Sequence, residues 1–227
     1  MMRPLLSVRQ PRNTVSKTTP FDDQATEYDA WFRKHRDLYL AELEAVRSFI
    51  PASGSGLEIG VGTGRFAALL GIPIGVEPSL QMAEMARQRG VEVLEGIAEA
   101  LPFADGSFDF AVMVTVICFL EDVAQAFREV CRVLKPNGTL VIGFIDRESE
   151  LGRYYSQKKE QSRFYREASF YSVSELVALL TEAGFSNFAY RQTLVPGETT
   201  GLTIREGHGS GGFVVIRALK TEGGIQA

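Results

Sequence analysis

Three alternating glycines follow a short apolar run at residues 57–64, where the sequence reads LEIGVGTG. Glycine is needed where the backbone takes a positive φ or comes very close to a ligand, so this pattern predicts a sharp turn from a strand into a helix. Such a turn after the first strand of a βαβ unit is where these sheets bind nucleoside cofactors. The dinucleotide fingerprint G-x-G-x-x-G would need a glycine at position 65, which is Arg65. The spacing disfavours a dinucleotide, and a loop that binds nothing stays open as an alternative.

An acidic residue that could contact a cofactor is Glu77, which directly follows the apolar run at 72–76. A carboxylate at the tip of the second strand can accept hydrogen bonds from both ribose hydroxyls of a nucleoside. Glu77 stands 17 residues after Gly60, close to the spacing expected of a ribose-binding acid. The alternative is that Glu77 caps the helix that begins near Ser79. Together with Glu58 ahead of the glycines, the pattern favours S-adenosylmethionine over NAD.

With these motifs the chain resembles the class I S-adenosylmethionine-dependent methyltransferases. The resemblance is to the ubiquinone/menaquinone-biosynthesis-like branch in particular, methyltransferase type 11. The resemblance covers roughly residues 21–145, and its segments occur in the order typical of the family. The matching segments are residues 21–32, 57–64, 76–79, 95–103, 107–110 and 128–140. Each segment alone is a modest signal, whereas the ordered set is specific.

The resemblance implies a set of cofactor-binding residues. Gly60 and Gly62 would let the backbone approach the methionine end of S-adenosylmethionine, and Glu58 would orient the loop and favour the amino group of the cofactor. Tyr28 would close over the methionine moiety, and Met82 would pack on the adenine unless it is simply a core methionine. The whole set is Tyr28, Glu58, Gly60, Gly62, Gly64, Glu77, Pro78, Met82, Ile97, Ala98 and Thr115.

One position departs from the family pattern. Many relatives carry an acid after the glycine of the adenine-side loop, where this chain has Ile97. We therefore expect backbone groups of Ile97 and Ala98, with apolar packing, to hold the adenine. No role is assigned to Glu99, for which a solvated loop acid is the plain interpretation.

Composition limits the class of protein. A chain of 227 residues with 45% hydrophobic residues fits one methyltransferase domain over residues 21–227. The net charge of −4 argues against binding of nucleic acid or of membranes through overall charge. Two cysteines make neither a disulfide framework nor a zinc site, so we expect a cytoplasmic protein without a metal. We expect a monomer or a homodimer. Residues 1–20, with four basic and no acidic residues, predict a flexible tail, or else an arm that binds a partner.

Alternating strands and helices predict the fold. Apolar runs predict strands near 57–60, 72–77, 91–94, 108–115, 139–145, 185–195 and 213–220, with helices over 37–50, 79–89, 123–134 and after Ser172. The expected architecture is α/β: a Rossmann-like, doubly wound, mostly parallel seven-stranded sheet with an antiparallel last strand and helices on both faces. The carboxyl ends of its strands would gather Glu58, the glycine loop, Glu77, Ile97 and Thr115 at one edge.

Residues 146–171 break the alternation with many charged and aromatic side chains. We interpret this segment as a candidate substrate lid, whose aromatic residues line an apolar pocket while Arg153 or Arg163 engages an acidic acceptor. The alternative is an amphipathic helix that covers the sheet edge and leaves its charges in solvent.

The implied reaction is direct in-line transfer of a methyl group from S-adenosylmethionine to a small-molecule acceptor, leaving S-adenosylhomocysteine. No catalytic acceptor-side residue is identifiable, which is compatible with a reaction driven by positioning. One alternative is a non-catalytic cofactor-binding module that regulates a partner. A nucleotide-dependent oxidoreductase is a weaker alternative, and no basic, aromatic-interleaved surface points to RNA.

Overall fold

The computed structural model describes residues 19–162, 164–197 and 203–221. Seven helices are present in these ranges: α1 (Thr19–Lys34), α2 (Arg36–Arg47), α3 (Arg65–Leu70), α4 (Leu80–Gln88), α5 (Val123–Val133), α6 (Glu150–Lys158) and α7 (Val173–Glu182). Short 3-10 turns cover Ile117–Phe119 and Lys159–Gln161. The strands are β1 (Gly56–Ile59), β2 (Ile74–Val76), β3 (Glu92–Leu94), β4 (Phe108–Val114), β5 (Leu134–Ile145), β6 (Phe185–Thr193), β7 (Arg205–Glu206) and β8 (Phe213–Lys220).

All eight strands form one sheet in the order β3-β2-β1-β4-β5-β8-β6-β7. The pairs among β1 to β5 are parallel, whereas β8 is antiparallel to both β5 and β6. The predicted α/β fold with a mostly parallel sheet and an antiparallel last strand is confirmed. The strand count of seven was too low, because the loop between β6 and β8 contributes the two-residue strand β7, antiparallel to β6. Two residues give no periodic pattern that a sequence could reveal.

Helices cover both faces of the sheet, as predicted. On one face, α5 and α7 bury residues such as Phe127 and Leu176 against β4 and β5. On the other, the helices from α1 to α4 bury residues such as Leu43 and Phe66 against the same strands. Apolar side chains on both faces explain why β4 has an almost unbroken apolar sequence.

The junction between α5 and β5 differs from the prediction. Residues 136–138 were expected to end the helix, but α5 ends at Val133 and β5 begins at Leu134. Leu134 pairs with Phe108, and the register then shifts before Thr139 pairs with Phe110. Because the Leu134 side chain is fully buried, early entry into the sheet satisfies both its packing and its backbone.

Helix starts follow their capping residues. The Ser79 hydroxyl accepts a hydrogen bond from the Met82 N–H at the start of α4, and Ser172 with Glu175 forms the capping box predicted for α7. The predicted basic tail, residues 1–20, lies outside the described residues except for its last two, which begin α1. None of the helices in the described ranges combines the length and the apolar character that a membrane span requires.

Candidate functional site

Strand order reverses between β1 and β4, so the connections that leave these two strands diverge. The glycine loop follows β1, Glu77 follows β2, and Thr115 follows β4. In open α/β sheets this crevice beyond the carboxyl ends of the strands is where ligands bind. The structure therefore brings the predicted residues from three separate strands to one edge.

A buried carboxylate fastens the glycine loop. Glu77 Oε2 accepts a hydrogen bond from the Gly62 N–H at 2.8 Å, and Oε1 accepts one from the Ser79 N–H at 3.0 Å. Burial raises the pKa of Glu77 to about 7, although both hydrogen bonds oppose the rise. A carboxylate offers about four lone-pair sites, so two of them stay available to hydroxyl groups. Glu77 thus supports the start of α4, the alternative to a ribose contact, and it also holds the glycine loop, which was not predicted.

Gly62 borders open space. Its φ is +53°, and a Cβ built on it would meet only Met82 Sδ, at 3.9 Å. Met82 is buried yet belongs to neither of the two core clusters. The loop thereby presents bare backbone beside a thioether, an arrangement that leaves room for a ligand at this point.

The other two glycines are required by packing. A Cβ on Gly60 would lie 2.3 Å from Val116 Cγ2, and one on Gly64 would lie 2.9 Å from Ala86. These close approaches hold the loop against Val116, which follows Thr115, and against Ala86 in α4.

Glu58 lies beneath the loop, fully buried in β1. Its carboxyl accepts a hydrogen bond from the Ala67 N–H in the first turn of α3, and burial raises its pKa well above the usual range despite that bond. In the part of the chain that the structure describes, Glu58 Oε2 has no hydrogen-bond partner. The residue therefore fixes the helix that the glycine loop leads into.

Asp29 in α1 joins the loop to three arginines, a network that sequence reasoning missed. Its buried carboxylate accepts hydrogen bonds from Thr63 Oγ1 at 2.8 Å, from Arg65 Nε at 2.7 Å and from Arg89 Nη2 at 2.9 Å. Arg33 adds a more exposed ion pair at 3.2 Å. Burial would raise the pKa of Asp29, but the hydrogen bonds from Arg65 and Thr63 and the charge of Arg89 outweigh it and hold the pKa below its usual value.

Tyr28 and Thr115 meet over the end of β4. The Thr115 side chain is hydrogen-bonded to the Tyr28 hydroxyl, whose pKa is raised chiefly by burial and further by the nearby Glu77 and Glu42. Thr115 itself takes a positive φ of 53°. Tyr28 therefore lies between the glycine-loop side, marked by Glu77, and a second space, marked by Glu42.

That second space is a cavity of about 420 Å³. It opens at the ends of β4, β5 and β6, where Thr115, Ile145 and Leu194 line it, and its other walls come from α1, α2, α6 and residues 164–165. Aromatic side chains dominate it: Tyr28, Trp31, Phe32, Tyr154, Tyr155, Phe164 and Tyr165. A cavity of this size and apolar lining suits a small molecule.

Two carboxylates line the cavity, and one of them is buried. Glu42 is 5% exposed and Glu150 is exposed at the rim. Glu42 was not among the predicted site residues. Its position in α2 was a signal, because it lies three residues after the buried Tyr39 and four before the buried Val46, on the inner face of that helix.

The adenine-side loop after β3 lies where the sequence predicted it. Ala98 is buried in the same core cluster as Val76, whereas Ile97 and Pro78 are partly exposed. Glu99 is not simply a solvated acid, because its Oε1 accepts hydrogen bonds from the N–H groups of Glu121 and Asp122 ahead of α5.

The segment 146–171 contains α6, and several of its side chains line the cavity. Arg153, expected to engage an acidic acceptor, instead donates a hydrogen bond to the carbonyl of Glu148 and is not among the cavity-lining residues. Arg163 lies outside the described residues. The charged groups that the described residues present to the cavity are acidic, opposite to the expectation.

Comparison with known proteins shows which proteins the chain resembles. Residues 57–142 match a family model described as "Methyltransferase domain". An uncharacterized protein of Methanocaldococcus jannaschii is 45% identical over 88% of this chain and 98% of its own length. A demethylmenaquinone methyltransferase of Roseiflexus castenholzii is 30% identical over 62% of this chain and 71% of its own.

Among solved structures, a Thermotoga maritima protein superposes with a TM-score of 0.87. It is 51% identical, and the match covers 90% of this chain and all of that chain. That protein is described as an S-adenosylmethionine-dependent methyltransferase and possible histamine N-methyltransferase.

Proposed function

The chain belongs to the S-adenosylmethionine-dependent methyltransferases, and we propose that it transfers the methyl group in line to a small molecule bound in the 420 Å³ cavity. The observation that carries the proposal is the position of Tyr28 and Thr115. Both residues of this hydrogen-bonded pair line the cavity. Tyr28 is also close enough to Glu77, which holds the glycine loop, for the charge of that carboxylate to raise its pKa. An aromatic cavity of this volume favours a small acceptor over a polymer. The Thermotoga relative's description, which names a small molecule, supports the same choice.

The residues present fit the cofactor. Glu77 keeps lone pairs for the two ribose hydroxyls after holding Gly62 and Ser79, and the open space at Gly62 leaves room for the methionine end. Glu58 orients the loop through α3, because its buried carboxyl accepts the hydrogen bond from the Ala67 N–H. The proposed cofactor-binding set remains the predicted one: Tyr28, Glu58, Gly60, Gly62, Gly64, Glu77, Pro78, Met82, Ile97, Ala98 and Thr115.

When bound, S-adenosylmethionine supplies an electrophilic methyl group that needs no further activation. The residues of the chain then have three tasks: to bind, to orient and to exclude water. Tyr28 and Thr115 place a polar pair at the boundary between cofactor and acceptor, and the aromatic walls exclude water from the cavity. Alignment of the acceptor atom with the methyl carbon supplies much of the rate.

Calorimetric titration with S-adenosylmethionine and S-adenosylhomocysteine, after removal of copurified ligand, tests the cofactor assignment. We expect micromolar binding to the wild-type protein and binding about 10- to 100-fold weaker to Glu77→Ala. Glu84→Ala, on the exposed face of α4, is the matched control and should bind normally. No binding of either ligand to the wild-type protein contradicts the proposal, and binding of NADH instead would favour an oxidoreductase.

Cofactor binding without turnover defines the remaining alternative. A broad panel of small acceptors with radiolabelled cofactor would show no methylated product if the protein were a regulatory module. Product from any small acceptor, dependent on Glu77, would identify an enzyme.

A further inference from the structure

The buried acid Glu42 has no visible task in folding. It lies in α2, 5% exposed, among the residues that line the 420 Å³ cavity. Within the described parts of the chain, no hydrogen bond or ion pair satisfies its carboxyl, and burial alone raises its pKa to about 8. A buried carboxyl in this state is costly to ionise unless a cation comes close. Among the residues that the structure describes, none brings a cation to the cavity.

The surroundings of Glu42 suit a positive charge. Glu150, at the rim, is the other charged residue that the described chain presents to the cavity, so both charges are acidic. The charge of Glu42 also acts on Tyr155 and Tyr165, whose hydroxyl pKa values are raised first by burial and then by neighbouring acidic groups that include Glu42.

Aromatic rings complete these surroundings. Tyr28, Trp31, Tyr154 and Tyr155 line the same space, and ring faces attract cations within about 6 Å. An ammonium that enters the cavity and loses its water is attracted both by these rings and by the Glu42 carboxylate. An acidic group would not be attracted by the ring faces.

We propose that the acceptor is an amine, held as its ammonium by Glu42 within the aromatic cavity, and that Glu42 removes the proton that must leave before methylation. This inference rests on the proposed methyltransferase function and names the substrate class of that same site. It differs from the acidic acceptor expected from the sequence, because the charged residues that the described chain presents to the cavity are acidic.

The ammonium gives one proton to the Glu42 carboxylate, which leaves a neutral amine with a free electron pair on nitrogen. That pair forms the bond from nitrogen to the methyl carbon, while the bond from carbon to the sulfonium sulfur breaks and its electron pair stays on sulfur. The methylated ammonium leaves, and Glu42 returns its proton to solvent.

A binding experiment separates this proposal from the general function. The probes are 2-phenylethylamine and 2-phenylethanol, which share size and ring but differ in charge. Each is titrated calorimetrically at pH 7 into the protein, both with and without saturating S-adenosylhomocysteine. The proteins are wild type, Glu42→Gln and the matched control Glu44→Gln, which lies two positions away on the same helix in a surface pair with Arg47.

We expect the wild-type protein and Glu44→Gln to bind the amine about 10- to 100-fold more tightly than the alcohol. Glu42→Gln should lose that preference while it keeps the affinity of wild type for S-adenosylhomocysteine. Equal affinity of the wild-type protein for both probes overturns the proposal, as does a preference that survives in Glu42→Gln. The wild-type comparison decides even if Glu42→Gln does not fold.

The two proposals fail separately in this design. Absence of S-adenosylhomocysteine binding contradicts the methyltransferase function, and it is measured apart from the amine preference. Normal cofactor binding with no amine preference leaves the methyltransferase in place and removes only the amine.

Discussion

Asp29 in the first helix holds Thr63 in the glycine loop, with 2.8 Å between the carboxylate Oδ1 and the hydroxyl Oγ1. The two residues are 34 positions apart, and Arg65 and Arg89 close around the same carboxylate. The shape of the loop therefore depends on α1 as well as on the strand that precedes it.

Asp29→Asn keeps the size of the side chain and removes its charge. The guanidinium groups of Arg65 and Arg89 then lose their counter-ion, so we expect the free energy of unfolding in urea to fall by about 2–4 kcal/mol. Asp37→Asn, exposed in the first turn of α2, should cost no more than about 1 kcal/mol through the helix dipole. Equal effects of the two substitutions would show that the Asp29 network carries no special stability.

Gly62→Ala separates backbone strain from loss of a ligand site. The residue has φ of +53° and open space, so the new methyl group should cost about 1–2 kcal/mol through strain alone. Gly71→Ala is the matched control, because its φ is +71° and nothing lies within 4 Å of the new Cβ. Both variants should melt at similar temperatures in calorimetry, and only Gly62→Ala should lose affinity for S-adenosylhomocysteine. Unchanged affinity in Gly62→Ala would place the cofactor elsewhere.

Stability should fall as pH rises between about 4.5 and 8. In the unfolded chain Glu42 releases its proton near pH 4.5, whereas in the folded chain burial raises its pKa to about 8. Over this window the folded state binds more protons, so the free energy of unfolding decreases with pH, by up to about 1.4 kcal/mol per pH unit for one group. Glu77, raised to about 7, and Glu58 contribute in the same direction.

Glu42→Gln should remove part of that slope. Urea unfolding at pH 5 and pH 8 should give similar stabilities for wild type and variant at the lower pH, and a more stable variant at the higher pH. The groups near the side chain are Glu150 at the cavity rim and the hydroxyls of Tyr28, Tyr155 and Tyr165, and these tyrosines stay protonated in this range because burial raises their pKa values. An identical slope in the variant would mean that Glu42 ionises freely in the folded protein.

Tyr154→Ala tests the cavity wall that α6 provides. The ring is 58% exposed, so its removal should change the free energy of unfolding by less than about 0.5 kcal/mol. Affinity for 2-phenylethylamine should fall about 3- to 10-fold, since an aromatic contact with the cation is lost. Gln157→Ala, exposed on the same helix, should leave it unchanged. A loss of S-adenosylhomocysteine affinity in Tyr154→Ala would argue against a role confined to the acceptor.

The sequence predicted the features that local patterns encode. Alternating strands and helices gave the parallel sheet, and the serine before α7 gave its capping box. Because parallel strands end at one edge, the spacing of the glycine loop and Glu77 was enough to predict that they lie close together. The hydrogen bond between Gly62 and Glu77 confirms this proximity.

The missed features are contacts between segments distant in the chain. Asp29 lies 36 residues before Arg65 and 60 before Arg89, and no periodicity relates such positions. Glu42 sits in a helix whose apolar residues were recognised, but only the folded cavity shows that, among the described residues, the acid on the same face has no partner. Arg153, predicted to face an acidic acceptor, turns to the carbonyl of Glu148 for the same reason, whereas Arg163 lies outside the described residues.

The first helix, α1, contacts both the glycine loop and the cavity. Its residues hold the glycine loop through Asp29, touch the start of α4 through Asp22, and wall the aromatic cavity through Tyr28 and Trp31. One helix thus supports both the glycine loop and the wall of the cavity. A substitution that loosens α1 is therefore expected to disturb both places together.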